Sequence, residues 1–193
     1  MMIQEVIHRI KSELIKTFDE IGVWFNADNN LLDYKLENGG WTVRQILEHI
    51  SLTNHYLLIL IRKGTNKAIT KARNTDYTDL LNEYDLDWDK LILIGEHKSF
   101  DWNRPEHMEP TGEMTMGDVK TKLNGQLQEC LGYLQLIPNG EGVFYKTMMT
   151  VNNLGKIDVY HYIYFLVQHA KRHITQMEKI KTEMERKTIK CKR

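Results

Sequence analysis

Four long segments of this chain place apolar residues at helical spacing, and this pattern constrains the fold most. In the first segment, Val6, Ile10 and Leu14 follow one another at intervals of four residues, which puts them on one face of a helix. Amphipathic helices of this length bury their apolar faces against one another. The pattern therefore predicts an all-α fold, a four-helix bundle with a long crossover between helices 2 and 3. The predicted helices cover residues 3–24, 43 to about 64, 115–137, and about 157 to beyond 180.

Two of these helices begin with a capping signal. Thr42 precedes the second helix with Gln45 three residues later, which is the spacing of a capping box. Thr115 and Asp118 repeat that spacing at the third long helix. Both threonines are therefore predicted N-caps, whose hydroxyls accept from backbone N–H groups of the first turn. Between the last two long helices, residues 141–150 are expected to form a short extended or hairpin piece.

The crossover, residues 73–112, is the least regular part of the sequence. It is expected to hold a short helix or strand-like stretches, followed by an ordered loop over residues 97–110. A connection this long inside a compact domain is often functional. We therefore expect it to shape a substrate pocket, with Trp88, Trp102 and Arg104 among its residues.

The composition suits one domain and argues against several function classes. The chain has 193 residues, 41% hydrophobic and 27% charged, with a formal net charge of zero. One helical domain is expected over residues 1–185, followed by a basic, mobile tail over residues 186–193. The balanced charge gives no indication of a nucleic acid or membrane partner. No apolar run approaches the roughly 20 residues that cross a bilayer. Cys130, a predicted core residue, and Cys191 are too few for a disulfide framework, so the expected location is cytoplasmic.

The last helix carries two histidines, His169 and His173, in the stretch QHAKRHITQ. Residues at i and i+4 share a helix face, so both imidazoles can reach one metal ion. His49 shares a stripe of the second helix with Ile46 and can supply a third ligand. The alternative for each is a core histidine with hydrogen-bond partners inside the protein, since this spacing also occurs by chance. The residues alone leave both interpretations open.

The other histidines carry weaker signals. His8 belongs to a single Glu-x-x-His pair, whereas a di-iron carboxylate bundle needs two such pairs. His55 and His161 are expected at the surface or rim of the bundle. His97 and His107 fall in the crossover and are candidates to line a cleft. The stretch HAKRH lacks the glutamate of a zinc protease helix, so that class is set aside.

The order of these motifs resembles the DinB/YfiT-like superfamily of helical-bundle metalloproteins. Trp41, Thr42 and His49, in WTVRQILEH, match the way its second helix opens. The runs WNRPEHMEP and GKIDVYHYIYFLVQHAKRHITQ are similar to one branch of the superfamily, and the resemblance covers nearly the whole chain. The matching residues of the last helix are His169, Arg172, His173 and Gln176.

The resemblance implies a bundle around an exposed divalent metal, with His49, His169 and His173 as ligands and water in the open positions. The ion is expected to be nickel or zinc, with manganese or iron as further options. Arg172 or Gln176 is expected to orient a ligand from beside the metal. Relatives of this kind include thiol S-transferases that use bacillithiol, mycothiol or glutathione, and many are homodimers. A homodimer acting on a small-molecule substrate is therefore expected.

Three interpretations of function follow from such a site. In the first, a low-molecular-weight thiol is deprotonated at the metal and attacks an electrophile, so the protein is a thiol S-transferase. In the second, water activated by the metal is the nucleophile of a hydrolase. A general base near the site would favour this interpretation, and the sequence shows none clearly, since Glu48 points about 100° away from its neighbour His49 on a helix. In the third, the protein is a non-catalytic helical binding module, which a fully ligated, buried site would favour.

Overall fold

The structure is a computed structural model that describes residues 2–37, 39–73, 75–96, 99 and 105–191, with the backbone alone for Cys191. The described part is mostly helical, so the predicted all-α class is confirmed. The helices are α1 (Ile3–Trp24), α2 (Asn29–Leu32), α3 (Val43–Ala72), α4 (Thr78–Asn82), α5 (Trp88–Gly95), α6 (Met116–Leu136) and α7 (Val159–Cys191). A short antiparallel hairpin of β1 (Thr147–Met149) and β2 (Gly155–Ile157) lies between α6 and α7.

The four long helices α1, α3, α6 and α7 form the bundle. α1 packs against α6 and α7, and α3 packs against the same two helices, so α1 and α3 take opposite corners. The crossover between the second and third long helices joins α3 to α6, as predicted. The inward faces meet in one apolar core, which includes Ile10, Leu14, Ile46, Leu47, Ile50, Leu123, Tyr160 and Tyr164.

The predicted helix starts are confirmed by their hydrogen bonds. The Thr42 hydroxyl accepts from the backbone N–H of Gln45 at 3.2 Å, and the Gln45 side chain accepts from the backbone N–H of Thr42 at 3.1 Å. The Thr115 hydroxyl accepts from the backbone N–H of Asp118 at 3.1 Å. Each cap satisfies a donor that the first turn of a helix leaves without an intrahelical partner. Both caps fix where a long helix begins, and the first of them lies seven residues before His49.

The end of α3 differs from the prediction, because the helix continues past Gly64 to Ala72. Gly64 lies where α3 meets the first turn of α7. A Cβ at this position would come within 2.9 Å of Cγ2 of Val159, which is too close for two carbon atoms that are not bonded to each other. The glycine therefore permits a close approach of two helices and does not stop one. These are the two helices that carry the candidate ligands.

Among its described residues the crossover holds two short α-helices, one turn of 3₁₀ helix at Glu106–Met108, and no strand. α5 packs against α7, and its last residue, Gly95, lies so close to that helix that a Cβ would meet Oε1 of Gln168 at 2.5 Å. Trp88 opens α5 with its ring edge-on to Tyr164, the ring centroids 4.7 Å apart. The guanidinium of Arg9 lies 4.0 Å from the centroid of the Trp88 ring. Trp88 thus joins α5 to α1 and α7.

The region after α6 contains a hairpin, but only its first strand lies within residues 141–150, where an extended or hairpin piece was expected, and its second strand is β2. Residues 141–144 make one turn of 3₁₀ helix, and Met148 pairs with Lys156 in the centre of the two strands. The hydroxyl of the buried Tyr160 donates to the Ile137 carbonyl at 2.6 Å and ties this region to α7. α7 itself continues to Cys191, so the described part of the segment expected to be a tail is helical. None of the described helices is both long and apolar enough to cross a bilayer.

Candidate metal centre

The structure brings the three predicted histidines together between α3 and α7. His49 comes from α3, and His169 and His173 come from successive turns of α7. One ligand atom from each lies within 4.8 Å of the other two. The ring centroids are 4.5 Å apart for His169 and His173, 4.8 Å for His49 and His173, and 5.2 Å for His49 and His169. The arrangement places three nitrogen donors around one point.

The two histidines of α7 have a spacing that suits a shared ion. Nε2 of His173 lies 3.1 Å from Nε2 of His169. Metal–nitrogen bonds of about 2.1 Å separate two ligand nitrogens by about 3.0 Å at a right angle and about 3.4 Å at the tetrahedral angle. Two imidazole nitrogens this close are held either by a hydrogen between them or by a common cation. The observed distance falls in the range that a divalent metal requires.

Hydrogen bonds at Nδ1 of His49 and of His173 set the tautomers of these two rings. The Nδ1–H of His49 donates to the backbone carbonyl of Met108 at 2.7 Å, and that oxygen can only accept. The Nδ1 of His173 lies 3.0 Å from Oε1 of Gln176, which is also an acceptor. A hydrogen on Nδ1 leaves the lone pair on Nε2 in a neutral imidazole. Both rings therefore present Nε2 lone pairs, as metal-binding histidines do.

His169 is the most buried of the three residues and is held neutral. Burial, followed by the neighbouring His173, His49 and Arg172, lowers the pKa of His169 well below its usual range. The charged imidazolium would lose its hydration and face other positive groups, so the neutral form is favoured at neutral pH. A neutral imidazole is the form that binds metals.

The surroundings of the histidines are more enclosed than the family resemblance implies. The exposed fractions are 4% for His49, 2% for His169 and 7% for His173. The Trp41 ring packs over His49 with centroids 4.5 Å apart, and the Met108 loop lies against the same ring. A metal held by these rings would therefore lie beside the Trp41 ring and the Met108 loop.

The two residues expected beside the metal differ in what they contact. Gln176 contacts His173 directly. Arg172 points toward the end of α5, where its guanidinium donates to the backbone carbonyl of Glu96. The Glu48 carboxylate faces away from the histidines and accepts hydrogen bonds from Thr111 and Gly112, as its angle on the helix predicts. Gln176 thus lies within hydrogen-bond distance of a candidate ligand, and Arg172 acts on His169 through its positive charge.

The remaining histidines lie elsewhere. His161 was expected at the surface or rim, and this is wrong: it is buried, and the carboxylate of Asp158, the residue before α7, lies 2.8 Å from its Nδ1. His55 is exposed as expected, and His107 is exposed with its ring 4.3 Å from that of Tyr56. His8 is also exposed. The predicted roles of His97, Trp102 and Arg104 fall outside the described residues.

Three contacts of the site were not predicted from the sequence. Thr53 lies one turn after His49, and its hydroxyl is 3.5 Å from Nε2 of that ring. Because Thr53 follows His49 by four residues on a helix, its contact with that ring could have been predicted from the sequence. Met108 acts through its backbone carbonyl, which no residue type reveals. The role of Glu48 at the loop depends on a partner 63 residues away in sequence, so local spacing carried no sign of it.

Cys130 is a core residue, as predicted, and we expect it to be unreactive in the folded protein. Burial, followed by the nearby Glu129, raises the pKa of the Cys130 thiol to about 12. At pH 8 the thiol is therefore protonated, and the reactive thiolate is scarce. In a Cys191→Ser variant, iodoacetamide should modify Cys130 at least about 100-fold more slowly than it does after unfolding in urea. Equal rates in the two states would show that the thiol is accessible and ionised.

Comparison with known proteins agrees with this architecture. Neither the curated proteins nor the solved structures gave a match. The sequence profile of the DinB superfamily matches residues 13–177, which span the bundle from α1 to α7 and include all three clustered histidines. The matched region covers most of the chain, with α3 and α6 complete and parts of α1 and α7. The chain therefore belongs to the DinB superfamily.

Proposed function

We propose that this protein is a metal-dependent enzyme in which His49, His169 and His173 hold one divalent ion that activates a small thiol. The observation that carries the proposal is the convergence of three imidazole donors within 4.8 Å, without a carboxylate or thiolate in the same group among the described residues. Catalytic metal sites commonly have three protein ligands and an open position, whereas structural sites have four. Nickel and zinc both suit imidazole ligands, with iron and manganese as further options.

The donor set favours a nucleophile that needs no separate base. Three neutral imidazoles leave a divalent ion its full charge, and an ion bound in this way lowers the pKa of a coordinated thiol or water. A hydrolase would gain from a general base beside the metal-bound water, and the nearest carboxylate in sequence, Glu48, is bonded to the Thr111–Gly112 loop. A thiol requires only ionisation before its sulfur attacks. We therefore favour a thiol S-transferase over a hydrolase.

The residues around the histidines have defined tasks in this proposal. Met108 and Gln176 hold His49 and His173 in the tautomers that offer Nε2. The Thr53 hydroxyl, beside Nε2 of His49, can donate to or accept from a ligand in the open position. Trp41 packs over His49 and limits the entry of water. The small exposure of the site favours a small thiol and a small electrophile over a macromolecular substrate.

The test is thiol-dependent turnover with defined metal content. Protein stripped with a chelator is reloaded with zinc, nickel, manganese or iron(II), then mixed with an activated aryl chloride and glutathione, bacillithiol or mycothiol. In the expected reaction the thiol releases a proton, a carbon–sulfur bond forms and chloride leaves. Mass spectrometry of the thioether should show a rate that requires both the metal and the thiol.

The matched controls separate the proposal from its alternatives. His169→Ala should lose the activity, and His55→Ala, which removes an exposed histidine away from the site, should keep it. Equal turnover in stripped and reloaded protein would contradict metal dependence. Metal-dependent release of chloride without any thiol would identify water as the nucleophile and favour the hydrolase.

A further inference from the structure

Glu48 has a buried carboxylate, and both of its oxygens accept hydrogen bonds from one loop. It is 2% exposed, and it lies on α3 immediately before His49. Oε1 accepts from the backbone N–H of Thr111 at 3.2 Å and from its hydroxyl at 3.1 Å. Oε2 accepts from the backbone N–H of Gly112 at 2.8 Å. Charge-assisted bonds of this kind are about twice as strong as neutral ones, so the carboxylate anchors this turn firmly.

The turn that Glu48 holds has a backbone shape suited to this contact. Gly112 has a φ of 78°, in the left-handed region that glycine adopts without steric cost. This conformation lets two successive backbone N–H groups, those of Thr111 and Gly112, point at the same carboxylate. Successive N–H groups that converge in this way form an anion-binding concavity. Here the anion is a side chain of α3.

The same loop supports His49. Met108 precedes Thr111 by three residues, and its carbonyl accepts from Nδ1–H of His49 at 2.7 Å. Two neighbouring residues of α3, Glu48 and His49, therefore bind one short stretch of the loop at two points. The position of the carbonyl depends on the path of the loop, and the carboxylate restrains that path close by.

We propose that Glu48 is a positioning residue for the metal centre. By holding Thr111 and Gly112 it keeps the Met108 carbonyl against Nδ1 of His49, so that Nε2 stays unprotonated and directed at His169 and His173. This inference rests on the proposed function only in taking His49 as a ligand. Glu48 touches neither the ion nor the substrate, and its effect passes through the loop and the imidazole.

The test is Glu48→Gln, which keeps the side chain's volume and shape. An amide offers one acceptor oxygen and turns an NH₂ group toward donors, so it cannot satisfy the N–H groups of both Thr111 and Gly112. Loss of a hydrogen-bonding partner behind a metal ligand costs about 10–100-fold in metal affinity. We expect zinc affinity to fall by that factor in competition titrations with a chromophoric chelator. Circular dichroism should show unchanged helical content.

A second measurement reads the tautomer without any metal. In imidazole nitrogen–proton correlation spectra of the metal-free protein, wild-type His49 should show hydrogen on Nδ1, its signal assigned by its absence from His49→Ala. Glu48→Gln should shift this population toward the Nε2–H tautomer or average the two. A residue that only stabilised the fold would lower the melting temperature and leave the tautomer unchanged.

The matched control is Glu129→Gln, the same chemical change in a carboxylate of α6 that bonds Arg62 of α3 and Tyr133. It should change neither zinc affinity nor the His49 tautomer. Unchanged affinity and an unchanged tautomer in Glu48→Gln would overturn the positioning role. If wild-type protein binds no metal, or His49→Ala binds it fully, the proposed function fails instead, and the tautomer spectrum still decides whether Glu48 orients His49.

Discussion

Replacing His169 with alanine should lower the affinity for zinc or nickel at least about 100-fold. Removing only a residue that hydrogen-bonds to a metal ligand already lowers metal affinity about 10–100-fold, and here the ligand itself is lost. His169 is the most buried of the three histidines, and its Nε2 lies 3.1 Å from that of His173. Its removal leaves two donors and a cavity in place of the third. Elemental analysis of tag-free protein after gel filtration measures the bound metal, and chelator competition measures the affinity.

The control for this prediction is His55→Ala, which removes an exposed imidazole from the same helix that carries His49. It should retain one equivalent of metal. Both variants should keep the helical content of the wild type, since neither substitution interrupts a helix. Full retention of metal by His169→Ala would exclude this residue as a ligand and favour hydrogen-bonded core histidines.

Metal removal should lower the thermal stability by several degrees. A ligand that binds only the folded state stabilises it by about 2.7 kcal/mol when its free concentration is 100 times the dissociation constant. For a domain of this size, that corresponds to about 5–10 °C in the melting temperature. The physical reason is that one ion would link α3 to α7, and unfolding would have to separate them. Differential scanning calorimetry with zinc and with a chelator measures the difference.

The same experiment on His169→Ala provides the internal check. In this variant zinc should raise the melting temperature by no more than about 1–2 °C over the chelator, because the bridge between α3 and α7 is incomplete. A zinc-dependent rise of equal size in the variant would mean that the stabilising ion binds elsewhere. The wild-type shift should also grow with the logarithm of the free zinc concentration above the dissociation constant.

The fold was predictable wherever the signal is local. α1 has the predicted bounds, and the caps at Thr42 and Thr115 form the hydrogen bonds that their spacing indicates. Such features depend on residues three or four positions apart, which one sequence displays directly. Gly64 shows the limit, since a glycine that ends a helix and one that lets another helix approach look alike until the partner, Val159, is known.

The candidate site shows the same division. The pairing of His169 with His173 follows from one helical turn. His49 was a candidate from its helical stripe, which the family resemblance strengthened, and it is found beside them. His161 lies on the same helix but is buried against Asp158, a contact that its apolar neighbours did not indicate. The role of Glu48 depends on where a distant loop returns to α3. Tertiary contacts between residues far apart in the chain leave no periodic pattern in the sequence, so they could not be predicted from it.

The acceptor for His49 is a main-chain oxygen, which every amino acid carries. Position 108 can therefore change its residue type, in evolution or by design, while the acceptor remains, provided that the loop keeps its course. The Met108 side chain has a separate contact, with its sulfur 4.0 Å from Oγ1 of Thr53. The backbone of Met108 thus supports the imidazole of His49, while its side chain separately sets the polarity beside Thr53. Exchanging Met108 for leucine or glutamine would change the side chain beside Thr53 without withdrawing the oxygen that orients His49.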